Sequence, residues 1–107
     1  MSNNRYEVRR DFLPIRTSLE SISAELATAV EEALRVLELD PRPERYECRR
    51  AKGSYFKILV TSDEEDVAII YEIHDSPAFA IDLINIKRVG AVIRALKLLG
   101  DLVDFRP

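Results

Sequence analysis

The sequence predicts an α+β domain: two N-terminal helices packed on a small, mostly antiparallel sheet of four to five strands, with a C-terminal helix. Three observations carry that expectation. Sustained helical spacing of apolar residues occurs only before Pro41 and after Gly90. Between those points stand four runs rich in Val, Ile, Tyr and Phe: Tyr46 to Arg50, Tyr55 to Thr61, Val67 to Ile73 and Ala78 to Ile86. The breaks between the runs are too short for a crossover helix, which excludes an alternating, doubly wound α/β domain and leaves hairpin-linked strands.

The elements follow in order. Tyr6, Val8, Arg10 and Phe12 alternate with Glu7, Arg9 and Asp11, the period of a short first strand. Pro14 opens a helix that runs to about Ser21, because a missing amide proton costs nothing in the first turn; Ile15, Leu19 and Ile22 share one face. In the second helix Leu26, Val30, Ala33, Leu34 and Leu37 form an apolar stripe opposite Glu25, Glu31, Glu32, Arg35 and Glu38. Ser21 or Ser23 caps its start, and Asp40-Pro41 stops it. Two prolines make Asp40 to Glu44 stiff and extended. Lys52-Gly53-Ser54, the acidic run Ser62 to Asp66, and His74 to Pro77 supply the turns between strands. In the last segment, 90–104, Arg94, Lys97, Asp101 and Asp104 leave only a narrow polar stripe on a helix otherwise covered by Val92, Ile93, Leu96, Leu98, Leu99 and Leu102. Such a helix needs cover on most sides, so it is expected to associate with a second copy or a partner protein, the alternative being that it completes the core of the monomer.

A length of 107 residues with 47% hydrophobic composition suits one domain, 1–107, with a packed core. One Cys and one His exclude an internal disulfide and a Cys/His zinc cage, so no metal and no other cofactor is expected, and a reducing cytoplasm is the expected location. The longest unbroken apolar run, Val67 to Tyr71, falls far short of the ~20 residues that span a bilayer, so no membrane partner is expected.

The net charge of -3 conceals an asymmetry. From Arg42 to Lys57, six cations face only Glu44 and Glu47, a local +4, which leaves -7 on the rest. That stretch suits RNA phosphates, with Arg49 and Arg50 as contacts and Tyr46 and Tyr55 for stacking. It equally suits pairing with the acidic helix and the Asp63 to Asp66 loop, or docking an acidic partner segment. The Asp63 to Asp66 run lacks the alternating ligands and turn glycine of a calcium loop and reads as a solvated turn. His74, Asp75 and Ser76 are consecutive in a tight turn and cannot assume triad geometry. Cys48 beside Arg49 and Arg50 reads as a small core residue, and Asp82, in an apolar strand, requires a cation or water.

The run Arg5-Tyr-Glu-Val-Arg9, the helix ending Leu39-Asp-Pro-Arg-Pro43, the turn Ala51-Lys-Gly-Ser54 entering a strand, and Ile69-Ile-Tyr-Glu-Ile73 before another strand together resemble the RelE/ParE family of bacterial toxin-antitoxin proteins. The resemblance covers residues 5 to about 90 and implies a cytoplasmic toxin held silent by an antitoxin. It implies either messenger-RNA cleavage in the ribosomal decoding site, by attack of a ribose 2′-hydroxyl without metal, or inhibition of DNA gyrase. For cleavage it implies three catalytic cations. Lys52 matches the lysine before the turn glycine, Lys57 lies where the family often has an arginine in the next strand, and Arg88 matches the arginine closing the final strand. The chain departs from the pattern at Ala68, where a third-strand arginine would stand, and in having no tyrosine after Tyr71. Those departures keep open a non-catalytic interaction module on the same fold.

Overall fold

The computed structural model describes residues 5–63 and 65–89; the expected helix at 90–104 lies outside the described residues. Along the chain come β1 (Glu7–Arg9), α1 (Leu13–Ser21), α2 (Ala24–Leu39), a 3-10 turn (Glu44–Tyr46), β2 (Arg49–Arg50), β3 (Tyr55–Thr61), β4 (Asp66–His74) and β5 (Ala80–Val89). The strands form one sheet in the order β1-β5-β4-β3-β2. β2 through β5 pair antiparallel, whereas β1 lies parallel to β5 at the opposite edge from β2.

Both helices pack on one face of that sheet. The α2 stripe is buried in full by Leu26, Val30, Ala33, Leu34 and Leu37, and Ser23 caps the helix by accepting the Leu26 amide at 3.2 Å. From α1 only Ile15 is buried, and Pro14 sits in its first turn as expected. These side chains meet Ile58 and Val60 of β3, Val67, Ile69 and Tyr71 of β4, and Ile81, Leu83 and Ile86 of β5. At about 1.5 to 3 kcal/mol for each large apolar side chain taken out of water, this layer is what holds helices to sheet. Tyr71 adds a polar tie: its hydroxyl donates to the Pro41 carbonyl at 2.6 Å and stands 3.3 Å from the Cys48 thiol, fixing the proline segment against the sheet.

One element differs from expectation. Tyr46 to Arg50 does not form a strand throughout; the 3-10 turn takes Tyr46, Glu47 follows in the left-handed region at φ 53°, and pairing is confined to Arg49 and Arg50. Pro43 supplies the reason, since its fixed φ leads directly into a tight turn, which closes when the Glu47 amide donates to the Glu44 carbonyl at 2.9 Å. Cys48 therefore lies just before β2, half-buried against the core.

Candidate functional site

The sheet face turned away from the helices is covered by no described element. Strand alternation assigns its residues: Lys57 of β3 is opposite Arg49 of β2 and Ile70 of β4, and Leu59 is opposite Ala68. Leu59, Ala68 and Ile70 are only half-buried, in contrast to their sealed neighbours Ile58, Val60 and Ile69. The uncovered face thus has an apolar centre with an exposed pair of cations, Arg49 and Lys57, along its β2 edge.

The three implied catalytic cations do not share a surface. Lys52 is exposed in the β2–β3 turn, where Gly53 takes φ +58° and the Tyr55 amide donates to the Lys52 carbonyl. Lys57 points to the uncovered face, but Arg88 is paired with Val67 and points to the helix face. There Arg88 donates to the Ser21 carbonyl and stands 3.5 Å from Glu65. A basic side chain on a helix's terminal carbonyl satisfies an orphan acceptor and opposes the negative end of the helix dipole, so this arginine acts as a cap for α1. The cause is a β-bulge. Register between β4 and β5 shifts between Ile70 and Tyr71, leaving Ile84 without a partner, and the extra residue reverses the facing of everything after it. Lys87, opposite Ala68, consequently takes the place on the uncovered face.

The suggested RNA contacts divide in the same way. Arg49 and Tyr55 belong to the uncovered face, whereas Arg50 lies opposite Phe56 and stacks its guanidinium on that ring at 5.1 Å, with Arg42 on the same ring at 5.0 Å. Arg45 lies over Tyr46 at 5.1 Å and reaches Glu32 of α2 at 3.8 Å. Part of the cationic stretch is therefore engaged internally.

A second polar group was not evident from residue order. Tyr55, Glu72, Asp82 and Arg9 form one transverse row across β3, β4, β5 and β1, and His74, two residues beyond Glu72, joins it from the same face. Arg9 donates from Nε to Asp82 Oδ1 at 2.5 Å and from its terminal nitrogen to Oδ2 at 2.9 Å, which holds the Asp82 carboxyl below the ordinary aspartate range. This is the cation that Asp82 was expected to require. His74 Nε2 stands 3.2 Å from Glu72 Oε1 and 3.1 Å from Asp82 Oδ2, and Ser54 Oγ donates to Glu72 Oε2 at 2.6 Å. Beside the row, Arg9, Asp11, Phe12, Asp82 and Ile84 line an open cavity of about 370 Å³. The alternation of Glu72 and His74 was the available signal; the position of Asp82 needed the strand register.

No described helix is long and apolar enough to cross a membrane. No protein-family model and no curated protein matches the chain. Among solved structures it is similar to RelE in the archaeal RelE-RelB complex from Pyrococcus horikoshii OT3, at 17% identity over 84% of this chain and 99% of that one, with a TM-score of 0.56. Two helices on one face of a five-stranded mixed sheet therefore make this a RelE-like α+β fold.

Proposed function

We propose that this chain is a toxin-family protein of a toxin-antitoxin pair that works by binding a protein partner, with message cleavage weakened or lost. The observation that carries this reading is the split of its cations: Lys57 and Arg49 on the uncovered face, Arg88 on the other, occupied with Ser21 and Glu65. Attack by a 2′-hydroxyl needs cations converging on one phosphate to offset the charge of the transition state. Among the described residues Lys57 and Arg88 lie on opposite faces, which speaks against such convergence, as do Ala68 and the absence of a tyrosine after Tyr71. Like charges directly opposite on a sheet repel, so Arg49 and Lys57 favour an anion between them. An acidic antitoxin segment meets that need, and the apolar centre beside it accepts the segment's non-polar side chains. RelE of the archaeal complex is held by RelB, which supports an antitoxin as the partner. A second copy associating through 90–104 is the other partner this reading admits.

A second reading rests on Tyr55 lying on the same face as Arg49 and Lys57, an arrangement that suits a nucleotide phosphate with its base stacked. Inducing the chain in bacteria, alone and together with any short protein found to be encoded beside it, separates the two. The partner reading expects a stable complex and intact messages. Cuts in translated messages, relieved by Lys57→Ala, would overturn it in favour of RNA cleavage; growth arrest with intact messages and supercoiling defects would instead indicate gyrase.

A further inference from the structure

We infer that Glu72, His74 and Asp82 form a binding site for one divalent transition-metal ion, with zinc as the best match. The inference does not depend on the partner reading, because it concerns a different end of the uncovered face and its test needs neither toxicity nor a partner. The sheet itself creates the problem that an ion would solve. Glu72 and Asp82 are directly opposite on β4 and β5, an arrangement in which two carboxylates repel. Arg9 neutralises one of those charges from the β1 side, and Glu72 is met only by the Ser54 hydroxyl and the His74 imidazole among the contacts of the described residues.

His74 reaches both carboxylates with a single ring nitrogen. The side chain is about a third exposed, but its Nε2 atom is turned inward, 3.2 Å from Glu72 Oε1 and 3.1 Å from Asp82 Oδ2, and its contact with Asp82 helps to hold that carboxyl low. The nitrogen is thus nearly equidistant from one oxygen of each carboxylate. Those separations have a simple meaning in coordination geometry. Zinc bonds to nitrogen and oxygen of about 2.0 to 2.1 Å, set at tetrahedral angles, place the donors about 3.3 Å apart. The three donor atoms all lie within 4.8 Å of one another, so small rotamer adjustments complete the arrangement.

The surroundings favour binding. Ser54 Oγ occupies Glu72 Oε2 and leaves Oε1 for an ion. Arg9 grips Asp82 through both oxygens, yet each carboxylate oxygen has a second lone pair, so Oδ2 can serve the guanidinium and a metal together. Outer partners of this kind orient ligating carboxylates. An imidazole with two carboxylates suits zinc and its neighbours in the first transition row; magnesium and calcium prefer all-oxygen sets. Three protein ligands leave a fourth position for water or a ligand atom.

The test is titration of the untagged full chain with zinc chloride by calorimetry and by competition with a chromophoric chelator, in a Cys48→Ser background so that the only thiol contributes nothing. The expected result is saturable binding of one ion, a rise in melting temperature, and a cobalt visible spectrum typical of tetrahedral nitrogen and oxygen donors. His74→Gln and Glu72→Gln should each weaken zinc binding at least a hundredfold, with circular dichroism confirming the fold. Ser54→Ala should weaken it about tenfold. Absence of saturable binding, or equal affinity in folded His74→Gln, would overturn the site. So would an imidazole resonance in NMR that keeps both ring protons at neutral pH and does not respond to zinc, which would identify His74 as a cation shared between the carboxylates.

Discussion

Arg88→Ala distinguishes a capping arginine from a phosphate-binding one. Its side chain is 56% exposed and its contact with Glu65 is 3.5 Å long, so that ion pair should contribute about 0.2 to 1 kcal/mol. The hydrogen bond to the Ser21 carbonyl adds about 1 kcal/mol and relieves an acceptor at the end of α1 that lacks a basic residue of its own. Together these predict a loss of about 1 to 2 kcal/mol, or a fall in Tm of about 4 to 8 °C for each kcal/mol in a domain of this size. Urea denaturation measures the loss, and a double-mutant cycle with Glu65→Gln isolates the ion pair. The same variant should bind heparin or single-stranded RNA as the parent does, while Lys57→Ala and Lys87→Ala each lower the salt slope of that binding by about one. Unchanged stability combined with a loss of polyanion binding equal to that of Lys57→Ala would refute the facing assigned to Arg88.

Further outcomes follow from the same structure. Tyr71→Phe removes the tie to Pro41 and should destabilise by about 1 to 3 kcal/mol in urea denaturation, because the tyrosine is wholly buried and its partner carbonyl loses a donor. Gly53→Ala should cost about 1 to 2 kcal/mol through its positive φ alone, since among the described residues no atom outside its chain neighbours lies within 4 Å of the added methyl; a neutral result in thermal melts would mean the turn takes another conformation. Tyr6 donates to the Asp75 carboxylate at 2.5 Å, a bond that raises its pKa above the ordinary phenol value. Its contribution to stability is present below the ordinary phenol pKa and lost as pH rises through the raised folded value. Alkaline absorbance titration should show Tyr6 ionising late, and Asp75→Asn should bring it back toward the ordinary range.

The elements legible in the sequence are those set by local periodicity. The α2 stripe from Leu26 to Leu37 and the alternation in Tyr55 to Thr61 report which face each side chain takes within its own element, because 3.6- and 2-residue periods are properties of one chain segment. The same local reading overextended β2, since Tyr46, Cys48 and Arg50 alternate like a strand while Pro43 and a left-handed Glu47 turn the backbone aside. The requirement that Asp82 find a cation was also legible, from the unfavourable burial of a carboxylate in an apolar run. Its partner was not: Arg9 reaches it only because β1 pairs parallel with β5, a contact 73 residues apart in the chain.

By itself, then, the sequence determined two helices, the strand-rich second half, the acidic and cationic division of the chain, and the turns that separate the strands. The tertiary structure decided which residues face one another. Lys57 and Arg88 were separated, Lys87 was brought to the uncovered face, and Glu72, His74 and Asp82 were gathered, all through strand register and one unpaired residue at Ile84. The physical reason is that side chains alternate across a sheet, so one added residue inverts every later position, and its placement depends on pairing with a distant strand.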